Sequence, residues 1–291
     1  MNKRGESMKN SVLNNIETNT KNIIFNIIKY FVVISFAMMS LFPFVWMVIN
    51  AFKDNTQIYS SPFSLPKTFN FTNFIQAWYT ANIGTYYFNS IIIAFSSVAV
   101  IIVLASMSSY ILAMVRPNKF LYTYFTLGIM VPIHAMLIPT FIILRKFGLL
   151  NTRTGLAIVY SAAGLSLSIF ILVGFMKGIP KEIEEAATID GAGIFRRFFS
   201  IILPMSKTGI ATIGTLAFIN TWNDFLYAQV LISNQTLMTL TQGIYFLQGQ
   251  YSTDYGLMSA GLVLAVIPVT IIYVLFQEQV VKGMTAGAVK G

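Results

Sequence analysis

The sequence predicts an all-α, polytopic membrane protein with six transmembrane helices and both termini in the cytoplasm. Three observations carry that prediction. Hydrophobic residues fill 56% of the 291 positions and charged residues only 10%, with a mean hydropathy of +0.70; a soluble domain carries about 25% charged residues. Six apolar runs reach the roughly 20 residues needed to cross about 30 Å of hydrocarbon. Finally, with the N-terminus placed inside, only Lys53, Lys67, Arg145, Lys146 and Arg153 of the 19 basic residues fall outside, as the bias of Lys and Arg toward the cytoplasm requires.

The chain starts with a polar, Asn- and Lys-rich stretch, residues 1–21, expected to be a flexible cytoplasmic tail. It shows no small-residue cleavage site, and the apolar run behind it is too long for a signal peptide. The transmembrane domain is therefore expected over 22–291, with spans near 27–52, 90–115, 120–144, 155–176, 208–232 and 257–277. Each must be helical, because an open strand edge in lipid leaves backbone groups unpaired. Pro43 in span one and Pro132 with Pro139 in span three should kink their helices. Span four is diluted by Ser161, Ser166 and Ser168. The outer segment 53–89, with Pro62, Pro66 and many aromatics, should be compact. The short outer turn holding Arg145, Lys146 and Arg153 runs against the charge rule, which the dominance of the first span accommodates.

Between spans four and five stands a charged island: Lys181, Glu182, Glu184, Glu185, Asp190, Arg196 and Arg197. Burying such a set at the bilayer centre would cost on the order of 15–20 kcal/mol, so the segment must leave the lipid. Pro180 suits a helix start, and residues 182–189 contain no breaker. Gly191 can supply a turn that other residues resist. A second helix is expected from Ile194, with Ile194, Phe195, Phe198, Phe199 and Ile202 on its apolar face and Arg196, Arg197 and Ser200 on the other. Pro204 should stop it before span five.

The register of this island carries a resemblance. Glu185-Ala186-Ala187, three residues, Gly191, nine residues, Ile201, one residue and Leu203-Pro204 resembles the cytoplasmic loop of ABC-importer permeases. Ile189-Asp190-Gly191-Ala192 and the ending Lys282-Gly283-Met284-Thr285-Ala286-Gly287-Ala288-Val289-Lys290-Gly291 resemble the carbohydrate branch, the smaller permease of maltose-type and multiple-sugar importers. The resemblance implies a coupling loop, residues 180–204, that docks on a separate ATPase through Glu185, Ala186, Ala187, Asp190, Gly191, Ile201, Leu203 and Pro204. It also implies contact between the ATPase and a tail containing Gly287 and Lys290. The implied partners are a second permease in a heterodimer, an ATPase dimer, an extracytoplasmic solute-binding protein and a sugar, in a bacterial plasma membrane. The loop around Thr236-Leu237-Met238-Thr239-Leu240 resembles the family's segment facing the binding protein, and Asn89-Ser90 its start of span two.

For the translocation pathway the candidates are Asn220, Trp222, Asn223, Asp224 and His134. Asp224 is the clearest intramembrane acid, a functional candidate by default, or else a tie to a neighbouring helix. Thr140 and Ser168 could add hydroxyl contacts. A passage with so few charges suits a neutral polar solute such as a sugar, though helix packing uses the same groups.

Composition excludes other chemistry. Cysteine is absent and His134 is the single histidine, which rules out thiolate or histidine metal centres. No phosphate-binding Gly-x-x-x-x-Gly-Lys-Ser/Thr occurs, so no cofactor is expected on this chain, and ATP with Mg belongs to the partner ATPase. The charge of +9 is spread beside the spans, not clustered as nucleic-acid binding needs. A permease for a polyol or glycerol phosphate would share these features. A secondary carrier should show intramembrane charge pairs and paired broken helices, and the sequence displays neither.

Overall fold

The structure, a computed structural model, describes the backbone of residues 3–249 and 253–288 and the side chains of 22–249 and 253–281. Every regular element among the described residues is helical. Helix α1 (Lys3–Asn50) begins inside the expected tail and runs unbroken through Pro43. α2 (Asn55–Ser60) and α3 (Thr72–Ile75), the latter continued by a π-turn over Gln76–Thr80, form a cap beyond it. This cap is compact because aromatic packing and one buried cation hold it. Phe52 contacts Phe69, Phe71 and Phe74, and the Trp46 indole donates to the Pro62 carbonyl at 3.0 Å. The buried Lys53 donates to the carbonyls of Ser61 and Pro62 at 3.3 and 3.1 Å. Burial lowers the pKa of this lysine, since desolvation penalises the charged form.

The bundle proper starts with α4 (Ile83–Tyr110), extended by a π-turn to Val115. It therefore begins well before the expected residue 90. Span three is not one helix. α5 (Lys119–Leu127) and α6 (Leu137–Lys146) are separated by two 3₁₀ turns around Val131 and Pro132, and the two halves lie at 90°. Pro132 produces the break by removing an N–H donor and holding its predecessor extended. Pro139 disturbs nothing, because it sits in the first turn of α6, where N–H groups have no intrahelical partner anyway.

α7 (Arg153–Met176) packs along α4. The island follows as α8 (Lys181–Ile189), α9 (Ile194–Arg197) with a π-turn over Phe198–Ile202, and α10 (Leu203–Met205). Pro204 does not stop the helix; the chain turns only at Ser206. In the π-turn the Leu203 N–H reaches back to the Phe198 carbonyl, one residue further than usual, which absorbs the bond the proline cannot make.

α11 (Lys207–Asn223) is the apolar part of span five, and α12 (Leu226–Leu231) follows a break at Asp224 and Phe225. The expected single helix over 208–232 is thus divided. Asp224 accepts the N–H groups of Tyr227 and Ala228 at 3.1 and 3.3 Å, and so caps a new helix. α13 (Leu240–Phe246) precedes α14 (Tyr255–Ala288), which passes through Pro268 and extends beyond the expected 257–277. Among the described residues, four helices are long and apolar enough to cross a membrane, and up to six if each bent pair, Lys119–Met130 with Ile133–Lys146 and Ile194–Met205 with Lys207–Asn223, counts as one span.

Two cores form. One, toward the end away from the island, gathers α4, α7 and α11 to α14 around Ile83, Leu156, Phe218, Trp222 and Leu240. The other joins Tyr110, Ile169, Leu172, Met176 and Ile213 to Phe198 and Ile202. Close approach of α11 to α7 depends on Gly209, whose added Cβ would lie 2.8 Å from the Phe175 ring.

Candidate functional site: the charged island and its anchorage

The island is built as two short helices joined at Gly191, whose φ of +75° is a conformation that residues with a Cβ resist. The Asp190, Gly191 and Ala192 N–H groups return to the carbonyls of Ala186, Thr188 and Ala187, so the turn satisfies its own backbone. Glu185, Ala186, Asp190, Gly191 and Pro204 are exposed, whereas Ala187 is 7% exposed. Ile201 and Leu203 are half-buried against the second core.

The anchorage uses residues that sequence reasoning passed over. The Tyr110 hydroxyl, at the end of α4, donates to the Glu184 carboxylate at 2.7 Å. Arg197 pairs with the same oxygen at 3.6 Å, with the two side chains only 18% and 12% exposed. Arg197 also donates to the Thr188 hydroxyl, which donates to the Glu184 carbonyl at 2.8 Å. One carboxylate therefore ties α8 to α9 and both to a long helix of the bundle. The expected apolar face needs correction accordingly. Phe198 and Ile202 are buried, but Phe195 and Phe199 are 69% and 56% exposed, and Arg197 turns inward. The π-turn shifts residues 198–202 from a face drawn at 3.6 residues per turn, and ahead of it the pair with Glu184 holds Arg197 inward. The usable signal was a tyrosine and an opposite-charge pair within an otherwise apolar bundle end.

Of the tail residues, Gly287 lies in α14, and Lys290 falls outside the described residues. Of the pathway candidates only Trp222 and Asn223 share a lining, and Asn220, Asp224 and His134 lie apart from it. Trp222 is 3% exposed and donates to the Ala265 carbonyl at 3.0 Å. It lines, with Asn223, Phe225, Thr241, Tyr245 and Tyr273, a cleft of about 710 Å³. Asn220 is exposed but is not part of that lining, and His134 is exposed on the 3₁₀ turn of the broken third span. Asp224 accepts the Tyr160 hydroxyl at 2.7 Å besides its two backbone donors, and its carbonyl accepts from Thr241 at 2.7 Å. In this geometry it holds α7, α12 and α13 together. Ser168 is buried and donates to the Gly164 carbonyl at 2.8 Å.

At the bundle end away from the island, Asn89 donates to the carbonyls of Thr236 and Met238 at 3.0 and 2.9 Å, and the Leu240 N–H donates to Ser90 at 2.8 Å. The two segments singled out at this end are thus one unit, with Asn234, Gln235 and Thr236 exposed on it. Among the described residues no three His, Cys, Asp or Glu side chains converge as a metal site.

Residues 101–286, which include the whole island, match the family model described as the binding-protein-dependent transport system inner membrane component. The diacetylchitobiose uptake system permease protein of Streptomyces coelicolor is 37% identical, over 90% of this chain and 88% of its own. The sulfoquinovosyl glycerol transport system permease protein of Agrobacterium fabrum is 36% identical, over 86% and 89%. A probable starch degradation products transport system permease protein of Thermoanaerobacterium thermosulfurigenes is 34% identical, over 85% and 91%. Among solved structures, a bacterial ABC transporter that imports the acidic polysaccharide alginate has a chain similar at a TM-score of 0.77, with 23% identity, covering 88% of this chain and 96% of that one. At that identity the likeness is one of fold.

Proposed function

The chain belongs to the binding-protein-dependent transport system inner membrane components, and from that membership we propose that it is the smaller of two permeases in a sugar importer. It is a transporter subunit of the plasma membrane and not an enzyme; ATP and Mg are handled by a separate ATPase. Two of the relatives are named for diacetylchitobiose and starch degradation products and a third for the glycoside sulfoquinovosyl glycerol, which favours a sugar, with an oligosaccharide first, over a free polyol or glycerol phosphate. The chain crosses the membrane six times, the bent pairs counting as spans, with both termini cytoplasmic. The island end faces the ATPase dimer, and the 234–240 unit faces the extracytoplasmic binding protein.

The observation that supports this reading best is the island itself, charged and exposed along Glu185, Ala186, Asp190 and Gly191 yet fastened to the bundle through Glu184, Phe198 and Ile202. A surface that docks on a moving partner and is rigidly joined to the spans can transmit displacement. Ala186 and Gly191 leave room for close approach, and Glu185 can take an arginine of the ATPase in a two-pronged pair. Closure of the ATPase dimer must favour one state of the spans by differential contact, since equal contact in both states would shift nothing. The tail with Gly287 and Lys290 adds a second contact to the same partner.

Glu185→Lys should therefore reduce sugar uptake by about tenfold or more while the complex still assembles in part, because loss of a coupling free energy of about 1–3 kcal/mol corresponds to about 5–150-fold. The check is uptake of radiolabelled diacetylchitobiose and maltooligosaccharides by cells carrying the complete importer, beside copurification of the ATPase. Wild-type uptake of neither sugar class would defeat the substrate reading. Unchanged uptake by the variant would defeat the docking role of Glu185.

A further inference from the structure

Three features of the chain have no role so far: the serines of span four, the break in span three, and the basic residues of the turn before α7. The structure brings a part of each onto one surface: Ser161 and Ser166, the backbone around Pro132, and Arg153 at the start of α7. On α7 the exposed residues Ile158 and Ala162 form a floor shared by two hollows, and the exposed Thr154 lines the first of them. On one side, against α4, lies a groove of about 480 Å³ that includes Ser96 and Ser161. On the other, against the broken third span, lies a cavity of about 670 Å³ that includes Thr140, Ser166, Tyr227 and the backbone around Pro132. Ile158 and Ala162 line both, so the hollows are one concave face running along α7.

The chemistry of this face is uneven in a useful way. Its walls are mostly apolar, but hydroxyls recur down its length. Ser161 and Ser96 already donate to carbonyls of their own helices, at 2.7 and 3.0 Å, which leaves their oxygens free to accept. A broken helix leaves carbonyls outside the regular ladder, which is tolerated where they border a cavity. One of these, that of Ile133, takes the Tyr227 hydroxyl at 2.6 Å. At the end of α7 away from the island, Arg153 lines the groove, and its Nε is buried without a hydrogen-bond partner among the described residues. A guanidinium offers a planar fork of donors and no acceptor. Arg153 is partly exposed where it lines the groove, so its guanidinium can donate to the oxygens of a polyhydroxylated solute there; the hydrocarbon of a lipid chain offers no acceptor.

We propose that this subunit's half of the solute passage is the concave face of α7 with α4 and the broken third span, and that Arg153 meets the sugar at its outer mouth. The proposal rests on the sugar-importer reading and locates within it a passage different from the cleft beside Trp222 and Asn223. It also accounts for a basic residue where the membrane charge rule disfavours one.

The absence of native cysteine permits a direct test. Single variants Ile158→Cys and Ala162→Cys are compared with Phe36→Cys, on an exposed face of α1, and with Thr270→Cys, which lines the Trp222 cleft. The probe is a membrane-impermeant cationic methanethiosulfonate, applied to cells with the complete importer, with and without the transported sugar. Modification at 158 and 162, slowed severalfold by sugar, is expected, with no such slowing at 36 or 270. In the Ala162→Cys background, Arg153→Met should raise the half-protecting sugar concentration about tenfold, and Arg153→Lys less, as loss of a charge-assisted hydrogen bond implies. Uptake that persists while 158 and 162 react no faster than 36 would mean that lipid or the second permease covers this face, and would overturn the proposal. Protection at 270 alone would overturn it in favour of the other cleft, and an unchanged half-protecting concentration would remove Arg153 from the passage. Complete absence of sugar uptake by the unsubstituted importer would strike the function reading itself.

Discussion

Sugar uptake should fall by an order of magnitude or more in Glu184→Ala, and by more than in Glu185→Lys, although Glu184 is the less exposed of the two. The carboxylate holds three things: the Tyr110 hydroxyl at 2.7 Å, the Arg197 guanidinium at 3.6 Å and, through Arg197, the Thr188 side of the turn. Removing it leaves a guanidinium only 18% exposed with no counter-charge. Breaking one side of a buried pair costs about 3–5 kcal/mol; partial exposure brings this to on the order of 2–3 kcal/mol. Phe198 and Ile202 remain in the second core, so α9 stays in place. The loss falls on α8, which carries Glu185 and Ala186. A docking helix that swings free of the spans transmits little, and a coupling loss of about 1–3 kcal/mol corresponds to about 5–150-fold. Graded variants separate the contacts. Tyr110→Phe should be mildest, since one hydrogen bond is lost. Glu184→Gln, which keeps an acceptor but not the charge, should lie between. The measurement is uptake normalised to membrane-inserted protein, and equal uptake by Glu184→Ala and wild type would refute the anchor.

The second large effect concerns stability. Asp224→Ala should destabilise the bundle by on the order of 2–5 kcal/mol. It strands the buried Tyr160 hydroxyl and the N–H groups of Tyr227 and Ala228, and an unsatisfied buried donor costs about 1–3 kcal/mol. Asp224→Asn preserves an acceptor and should cost much less. A melting curve of the purified complex in detergent, followed by tryptophan fluorescence, reports this directly because Trp222 is two residues away and packs on Phe218 with ring centroids 5.5 Å apart. If alanine and asparagine variants both melt with wild type, Asp224 is not a structural tie.

The large features were legible because they follow from transfer free energy. Seven charges in an apolar chain must leave the lipid whatever the details, and Gly191 was legible as the turn because a residue without a Cβ takes a positive φ, here +75°, at low cost. The breaks in spans three and five were not legible as breaks. Mean hydropathy counts apolar residues without regard to the path of the axis, so Ile129, Val131 and Ile133 read the same across a 90° corner as along a straight helix. Pro132 announced a kink but could not give its size. Asp224 looked like a lone intramembrane acid because its partner, Tyr160, is 64 residues away in sequence. The inward face of the second island helix was misplaced for a local reason. A π-turn breaks the 3.6-residue period, and no residue type marks one reliably. Arg197, ahead of that turn, read as a solvent-facing charge because its partner Glu184 stands on the other island helix.

The most direct test of the central claim places a photoactivatable crosslinker on Glu185→Cys in the otherwise cysteine-free chain, within the assembled importer. The account predicts an adduct with the ATPase subunit, formed from the cytoplasmic side, whose yield changes between nucleotide-free and ATP-bound states. An assembled complex in which residue 185 is labelled by impermeant reagent from outside the cell, or never captures the ATPase in either state, would contradict it.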